Sequence, residues 1–207
     1  MTKISLIRHG LVDNPHEVYY GRLPGFALAE LGRAQAAAAG VYLADASVVA
    51  IYHSPMLRAF QTADIVRSRC ATDAPMAECD LLNEIYSPFD GRPAAEMEKR
   101  DWNFYDEVGP PYEQPADIAA RLVKFFDLVR EKHPGRHVVG VSHADPIAFA
   151  IVWASGRPLS AGQRKQLMEC GVSTHYPSPA SVTTFVFADN EQRELHNYQY
   201  HAPAVHL

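Results

Sequence analysis

Three short apolar runs, at residues 4–7, 48–52 and 138–141, each stop abruptly at polar or turn-forming residues. Largely aliphatic and β-branched runs of this length, interrupted by Ser5 and Gly140, read as strands buried on both faces. Between and after them the apolar positions recur at helical spacing. Residues 30–43 are Ala-rich and helical, and 56–69 form a second helix. Residues 116–132 align Ile118, Leu122, Phe125 and Val129 on one stripe, and 146–154 form a fourth helix. Strands alternating with helices predict an α/β fold, a three-layer sandwich with a mostly parallel sheet and helices on both faces. Two late runs, 181–188 and 194–200, have no helix between them and predict a hairpin at one sheet edge. The proline-rich stretch at about 87–115 carries Trp102, Phe104, Tyr105 and Tyr112. It breaks the alternation and reads as an irregular insertion, either a cap packed on the sheet or a lid that touches a ligand.

Candidate chemistry gathers where the strands stop. Arg8-His9-Gly10 follows the first run directly, at a strand's carboxyl end, where open α/β sheets bind ligands. Arg8 presents a planar fork of donors that matches phosphate oxygens. His9 is an imidazole whose charge changes near neutral pH, and Gly10 leaves room for a ligand against the backbone. Alone, the tripeptide is equally an ordinary strand-end turn. The second run is followed by Ser54-Pro55-Met56-Leu57-Arg58. Ser is a favoured N-cap and Pro a favoured first helical residue, which places Arg58 in a helix's first turn, where anions are attracted. The third run ends at Ser142-His143-Ala144-Asp145-Pro146, repeating the cap-then-Pro pattern and setting His143 at a second strand end. Leu81-Leu82-Asn83-Glu84 adds an acid after a short apolar run. His53 immediately precedes Ser54 and is the one further histidine placed near these groups.

Composition narrows the classes. A chain of 207 residues suits one domain over 1–207 with a substantial core. The net charge of −5 and pI near 6.0 argue against general nucleic-acid or anionic-membrane binding. No run approaches a membrane span, and the first residues lack a signal-peptide pattern. Three cysteines, Cys70, Cys79 and Cys170, lack metal-ligand spacing and read as reduced thiols of a cytoplasmic protein.

Taken together the motifs resemble the histidine phosphatase superfamily, the group that includes the cofactor-dependent phosphoglycerate mutases. The resemblance rests on Leu6-Ile7-Arg8-His9-Gly10, on Ser54-Pro55-Met56-Leu57-Arg58-Ala59-Phe60-Gln61-Thr62-Ala63, on Asn83-Glu84 with Phe89-Asp90-Gly91, and on Val141-Ser142-His143. These occur in the family's order and are joined by Gly21-Arg22, Leu31-Gly32-Arg33-Ala34-Gln35-Ala36 and the strand at 180–187. The resemblance implies hydrolysis of a small-molecule phosphomonoester through a phosphohistidine on His9. Arg8, Arg58 and His143 would bind the phosphoryl oxygens, and Glu84 would donate and accept protons. It also places Asn14, Gly21 and Arg22 near the substrate, and a homodimer is compatible with it. Two histidines and a glutamate could instead ligate zinc, but His9 and His143 lack the short helical spacing of zinc hydrolases, and the flanking arginines would repel a cation. No metal or organic cofactor is expected.

Departures from the family pattern favour one activity. Where many members have an acid and a Ser or Thr after Arg-His-Gly, Leu11 and Val12 stand, which would leave an apolar pocket floor. Mutases carry a Glu-Arg-His-Tyr-like segment, whereas Asn83-Glu84-Ile85-Tyr86 lacks the extra basic residues for a second anionic group. A phosphatase is therefore preferred to a phosphoglycerate mutase-type phosphotransferase. A non-catalytic phospho-ligand binding protein is the alternative from outside the enzymes.

Overall fold

The computed structural model describes residues 1–70, 73–188 and 194–204. The first apolar run becomes β1 (Thr2–Arg8), followed by α1 (Glu30–Tyr42), β2 (Val48–His53) and α2 (Leu57–Arg69). Then come a short edge strand β3 (Met76–Glu78), α3 (Ala94–Lys99), α4 (Pro115–Lys132), β4 (His137–Ser142) and α5 (Ala144–Ala154). The hairpin is β5 (Val182–Phe187) and β6 (Leu195–His201). The six strands form one sheet in the order β3-β2-β4-β1-β5-β6. The β1–β4, β2–β3 and β2–β4 pairs are parallel, whereas β5 joins β1 and β6 antiparallel. The expected α/β fold and hairpin edge are both present, and no helix among the described residues is long and apolar enough to cross a membrane.

Alternation along the strands divides the interior in two. Ile4, Leu6 and Val138 face a large aromatic core with α4 and α5, built on Phe125, Phe126, Phe149 and Phe185. Ile7, Val139 and Val141 face the opposite side, where small residues of α1 and α2 pack closely, Ala39, Ala59 and Ala63 among them. Side chains of successive strand residues point to opposite faces, so one strand serves both cores. α4 is fixed at its start by Pro115 and by the Gln114 N–H, which donates to Asp117 Oδ2 at 2.9 Å.

Register is what assembles the site. Arg8 pairs with Ser142, and Val141 pairs with both Ile7 and His53. Consequently the three parallel strands end on one level. The His9 N–H donates to the Ser142 carbonyl (3.0 Å) and the Ser54 N–H to the Val141 carbonyl (2.9 Å), which continues the ladder one residue past each strand. Because β5 runs the other way, its entry lies at the same edge. The Arg8 N–H donates to the Ser181 carbonyl (3.1 Å) and the Ala180 N–H to that of His9 (3.3 Å).

Several local expectations need correction. Ser54 does not cap α2 at its first turn; the helix begins at Leu57 with Met56 at the N-cap. Asp145 is likewise no cap, because α5 begins at Ala144 with His143 in that position. The chain runs past the predicted cap before α2 starts, whereas α5 starts one residue ahead of its predicted cap. Arg58 nevertheless keeps its first-turn place. The insertion at 87–115 is not wholly irregular, since it contains α3. Gly10 does not leave room for a ligand. α1 fills that space, and a Cβ on Gly10 would lie 2.2 Å from the Gly32 carbonyl oxygen. The reverse also holds, with a Cβ on Gly32 falling 2.0 Å from the Leu11 carbonyl oxygen. Two glycines therefore let the turn after β1 and the first turn of α1 touch backbone to backbone.

Candidate active site

At the sheet edge, His9 lies on the extension of β1, Arg58 on the first turn of α2, His143 at the N-cap of α5 and Glu84 after the 3-10 turn Asp80–Leu82. All four are buried, Arg58 and His143 almost completely. The His9 and His143 rings meet edge-on with centroids 5.1 Å apart. The three separate strand-end motifs thus converge on one place, as expected.

His9 is held with Nδ1 2.8 Å from the Gly10 carbonyl, an acceptor only. Nδ1 therefore carries the hydrogen, and Nε2 keeps its lone pair. Burial, then the positive charges of Arg58 and Arg8, hold this imidazole well below its ordinary pKa. It is neutral at physiological pH, the form a nucleophile requires.

Two guanidinium groups flank it. Arg58 Nη2 donates to the Gly21 carbonyl (2.7 Å) and lies 3.1 Å from His143 Nδ1, while its plane sits 4.7 Å from the Tyr20 ring centroid. Arg8 Nη1 donates to the Pro177 carbonyl (2.6 Å). The Nε atoms of both arginines are buried without a hydrogen-bond partner. A buried cationic donor left unpaired is expensive, so this pair marks a place made for an anion.

Glu84 is buried beside these groups. Its Oε1 accepts from the Ile85 N–H (2.9 Å), and its Oε2 lies 3.3 Å from His143 Nδ1 and 3.6 Å from Arg58 Nη2. Burial pushes this carboxyl up to about 7, against the opposing pull of Arg58 and the Ile85 hydrogen bond. A carboxyl that titrates near neutrality can give and take protons at working pH.

His143 differs from the expectation that it donates to a phosphoryl oxygen. Its Nδ1 accepts from Arg58, so Nε2 carries the hydrogen and donates to Ser54 Oγ at 2.7 Å. Burial, then Arg58, keep its pKa well below the usual value. In this arrangement His143 orients Arg58, with both ring nitrogens already engaged.

The more peripheral candidates separate. Asn14 lines the cavity, but its amide clamps the backbone of Val18 at 2.8 and 3.3 Å. Gly21 and Arg22 do not line it. The Gly21 carbonyl holds Arg58, and its φ of +37° places a built Cβ 1.8 Å from Asp90 Oδ1, so only glycine fits. Arg22 donates through Nε to the Glu84 carbonyl (2.8 Å) and pairs with Glu113 (3.1 Å). Glu113 also pairs with Arg121 (2.8 Å), whose Nη1 reaches the Leu81 and Asn83 carbonyls at 2.8 and 2.9 Å. Arg22 is thus a support for the Glu84 segment rather than a substrate ligand. Leu11 and Val12 do not form the pocket floor: Leu11 is exposed, and Val12 is buried in a bridge with Leu28. His53 is also outside the site, bonded to the Ser54 carbonyl (2.9 Å) beside a separate cavity of about 280 Å³.

Sequence reasoning foresaw the aromatic insertion as a cap or a lid but missed what else the far wall is made of. A cavity of about 610 Å³ opens above His9 and Glu84, bounded by Tyr19, Tyr20, Trp102, Phe104 and Tyr176. Asp145 lies behind it and is shared by three donors. Arg164 Nε reaches both its oxygens at 3.0 and 3.1 Å, and the hydroxyls of Tyr105 and Tyr176 donate to one oxygen each. Arg164 also donates to the Trp102 carbonyl and, at 2.6 Å, to that of Ala161. Burial, then the Asp145 charge, push both tyrosines well above their usual pKa, keeping them protonated donors. The Asp-Pro after His143 was legible only as a helix start; nothing local announces its partners.

His9, Glu84 and His143 bring potential metal-ligand atoms within 4.8 Å of one another. The Arg58 guanidinium already occupies that cluster, touching His143 and facing Glu84, and a cation beside it would be repelled. The donor set suits an anion better than a metal.

The chain belongs to the histidine phosphatase superfamily (branch 1), whose family model matches residues 4–190. It is 35% identical over 193 residues to the uncharacterized protein Rv0525 of Mycobacterium tuberculosis, covering 90% of each chain. It is 30% identical over 158 residues to the uncharacterized phosphatase PhoE of Bacillus subtilis, covering 75% of this chain and 79% of that one. In fold it resembles YhfR of Bacillus stearothermophilus, with a TM-score of 0.77, 24% identity and 95% of each chain covered. A mycobacterial glucosyl-3-phosphoglycerate phosphatase gives a TM-score of 0.74 at 22% identity, with 97% of each covered. Membership of this superfamily indicates phosphatase or mutase chemistry.

Proposed function

We propose that this protein is a phosphatase that hydrolyses phosphomonoesters through a phosphohistidine on His9. The observation that carries the reading is a buried, neutral His9 with a free Nε2, set beside two arginines whose buried Nε donors have no partner. A phosphoryl group supplies the missing acceptors for Arg8 and Arg58, and their charge stabilises the oxygens as the transfer proceeds.

The His9 Nε2 lone pair attacks phosphorus, and the bond from phosphorus to the ester oxygen breaks. Glu84, protonated below about 7, gives its proton to the departing alkoxide. Water then attacks the phosphohistidine and returns a proton to the Glu84 carboxylate, and the phosphorus–nitrogen bond breaks to release inorganic phosphate. His143 and Ser54 hold Arg58 in place throughout. Phosphatase is favoured over mutase because Arg22, Arg164 and Lys165 are each already paired with a carboxylate. Trapping settles the matter: wild type quenched during turnover should carry an acid-labile, base-stable phosphoryl group that His9→Ala lacks. Turnover persisting in His9→Ala would overturn the assignment.

A further inference from the structure

The cavity above His9 is far larger than the phosphoryl group requires. A phosphoryl group needs only a few water volumes of roughly 30 Å³ each, whereas the cavity measures about 610 Å³. The remainder must accommodate the alcohol that leaves, and its walls state what kind. Tyr19 and Phe104 stack with centroids 4.5 Å apart, and Trp102 meets Phe104 edge-on at 6.3 Å. Val18, Tyr20, Ala94, Ala144 and Tyr176 extend the apolar part of the lining, and His175 stands among them. A continuous aromatic face of this kind binds flat, apolar rings through stacking and water exclusion.

The charged and amide groups at the same wall point to what is excluded. Lys165 Nζ is bound to Asp101 Oδ1 at 2.7 Å, Arg164 is bound to Asp145, and the Asn14 amide is bound to the Val18 backbone. A carboxylate or second phosphate on the substrate would have to compete with Asp101 or Asp145 for Lys165 and Arg164. The clasp of Arg164, Tyr105 and Tyr176 on Asp145 also ties together the aromatic insertion, α5 and the segment before β5. The wall is thereby held in place before any ligand arrives.

We infer that the chamber walled by Tyr19, Trp102 and Phe104 is a subsite for a bulky, ring-bearing apolar alcohol, so that the substrate is a phosphomonoester with a single anionic group. This rests on the phosphomonoesterase reading above and adds the identity of the leaving group.

Phosphonates test it without chemistry, because their carbon–phosphorus bond offers no leaving group and affinity alone is read. Calorimetry on the wild-type protein should show benzylphosphonate binding at least tenfold more tightly than methylphosphonate, with 3-phosphonopropionate no tighter than methylphosphonate. Trp102→Ala, which removes part of the wall, and Ala94→Phe, which fills the chamber, should each narrow the benzyl-to-methyl ratio. Equal affinities for the benzyl and methyl compounds, or a preference for the carboxylate-bearing one, would overturn the inference. Turnover through His9 without the benzyl preference would discard the subsite and leave the phosphatase standing. The preference without turnover of any phosphomonoester would do the reverse.

Discussion

The floor and the far wall of the site are built on opposite principles. The floor consists of His9, Arg58, His143 and Glu84, delivered by strand ends and helix starts whose register fixes them to within a hydrogen bond. Its electrostatics are left unfinished, with the Nε donors of Arg58 and of the neighbouring Arg8 unpaired and a carboxyl pushed up to about 7. The wall comes mostly from loops and short turns gathered on Asp145 of α5. The Tyr19 hydroxyl there has no partner, but the buried charge is satisfied: Asp145 receives Arg164 and two tyrosine hydroxyls. Unsatisfied groups on a rigid frame await a ligand, whereas satisfied groups on irregular segments create the frame itself. The contrast assigns chemistry to the floor and selection to the wall.

The sharpest way to break this comparison is to remove the nucleophile. His9→Ala should lower phosphomonoester turnover by ~10⁴-fold or more, about 5 kcal/mol of barrier, while denaturant unfolding changes little. A large stability loss in that variant would show that the floor, too, is structural.

Asp145→Asn is the converse experiment. Breaking a buried pair strands the partner charge and costs about 3–5 kcal/mol. The loss should appear in urea unfolding, together with weaker binding of bulky phosphonates. A change below about 1 kcal/mol would mean that the wall does not depend on the clasp.

Glu84→Gln should slow alkyl phosphate hydrolysis by ~100-fold or more and aryl phosphate hydrolysis much less, since aryl oxides leave without a proton. Wild-type turnover of alkyl esters should fall as pH rises through about 7, where the acid form disappears. Stability moves in the same window. A carboxyl raised from 4.5 to about 7 in the folded state contributes fully below 4.5 and loses that contribution as pH climbs to about 7. Glu84→Gln should therefore unfold later than wild type at pH 8, by up to about 3 kcal/mol at 1.36 kcal/mol per unit, and show no such gain at pH 4. The lowered pKa values of His9 and His143 act oppositely, removing stability as pH falls below their ordinary 6.5.

Arg22→Met makes the smallest change. It removes the donor to the Glu84 carbonyl but leaves Arg121 on the same segment. Alkyl ester turnover should drop ~10-fold with the upper pH limb displaced, and aryl ester turnover should hold. An equal loss on both would make Arg22 a substrate ligand after all.

The floor was legible because its residues sit where periodicity stops. The apolar runs before Arg8, Ser54 and His143 identify strands, and residues past a strand's carboxyl end share a site by the logic of parallel sheets. The wall was not legible because Tyr105, Arg164 and Tyr176 lie 40, 19 and 31 positions from Asp145, in segments without a repeating pattern. Asp145 itself was misread, since Asp before Pro looks like a cap and only the tertiary partners give it another use. Arg22 was visible as a motif but not as a support, because its partners Glu84 and Glu113 come from distant turns.

The mutual contact of Gly10 and Gly32 has a consequence for which side chains the chain can carry there. Their backbones meet with no side chain between them, and a Cβ at either position would collide with a carbonyl oxygen of the facing segment. The turn that carries the nucleophile is therefore braced by α1 on one side as well as by the ladder to β4 on the other. A side chain at either glycine would push apart the helix and the histidine together.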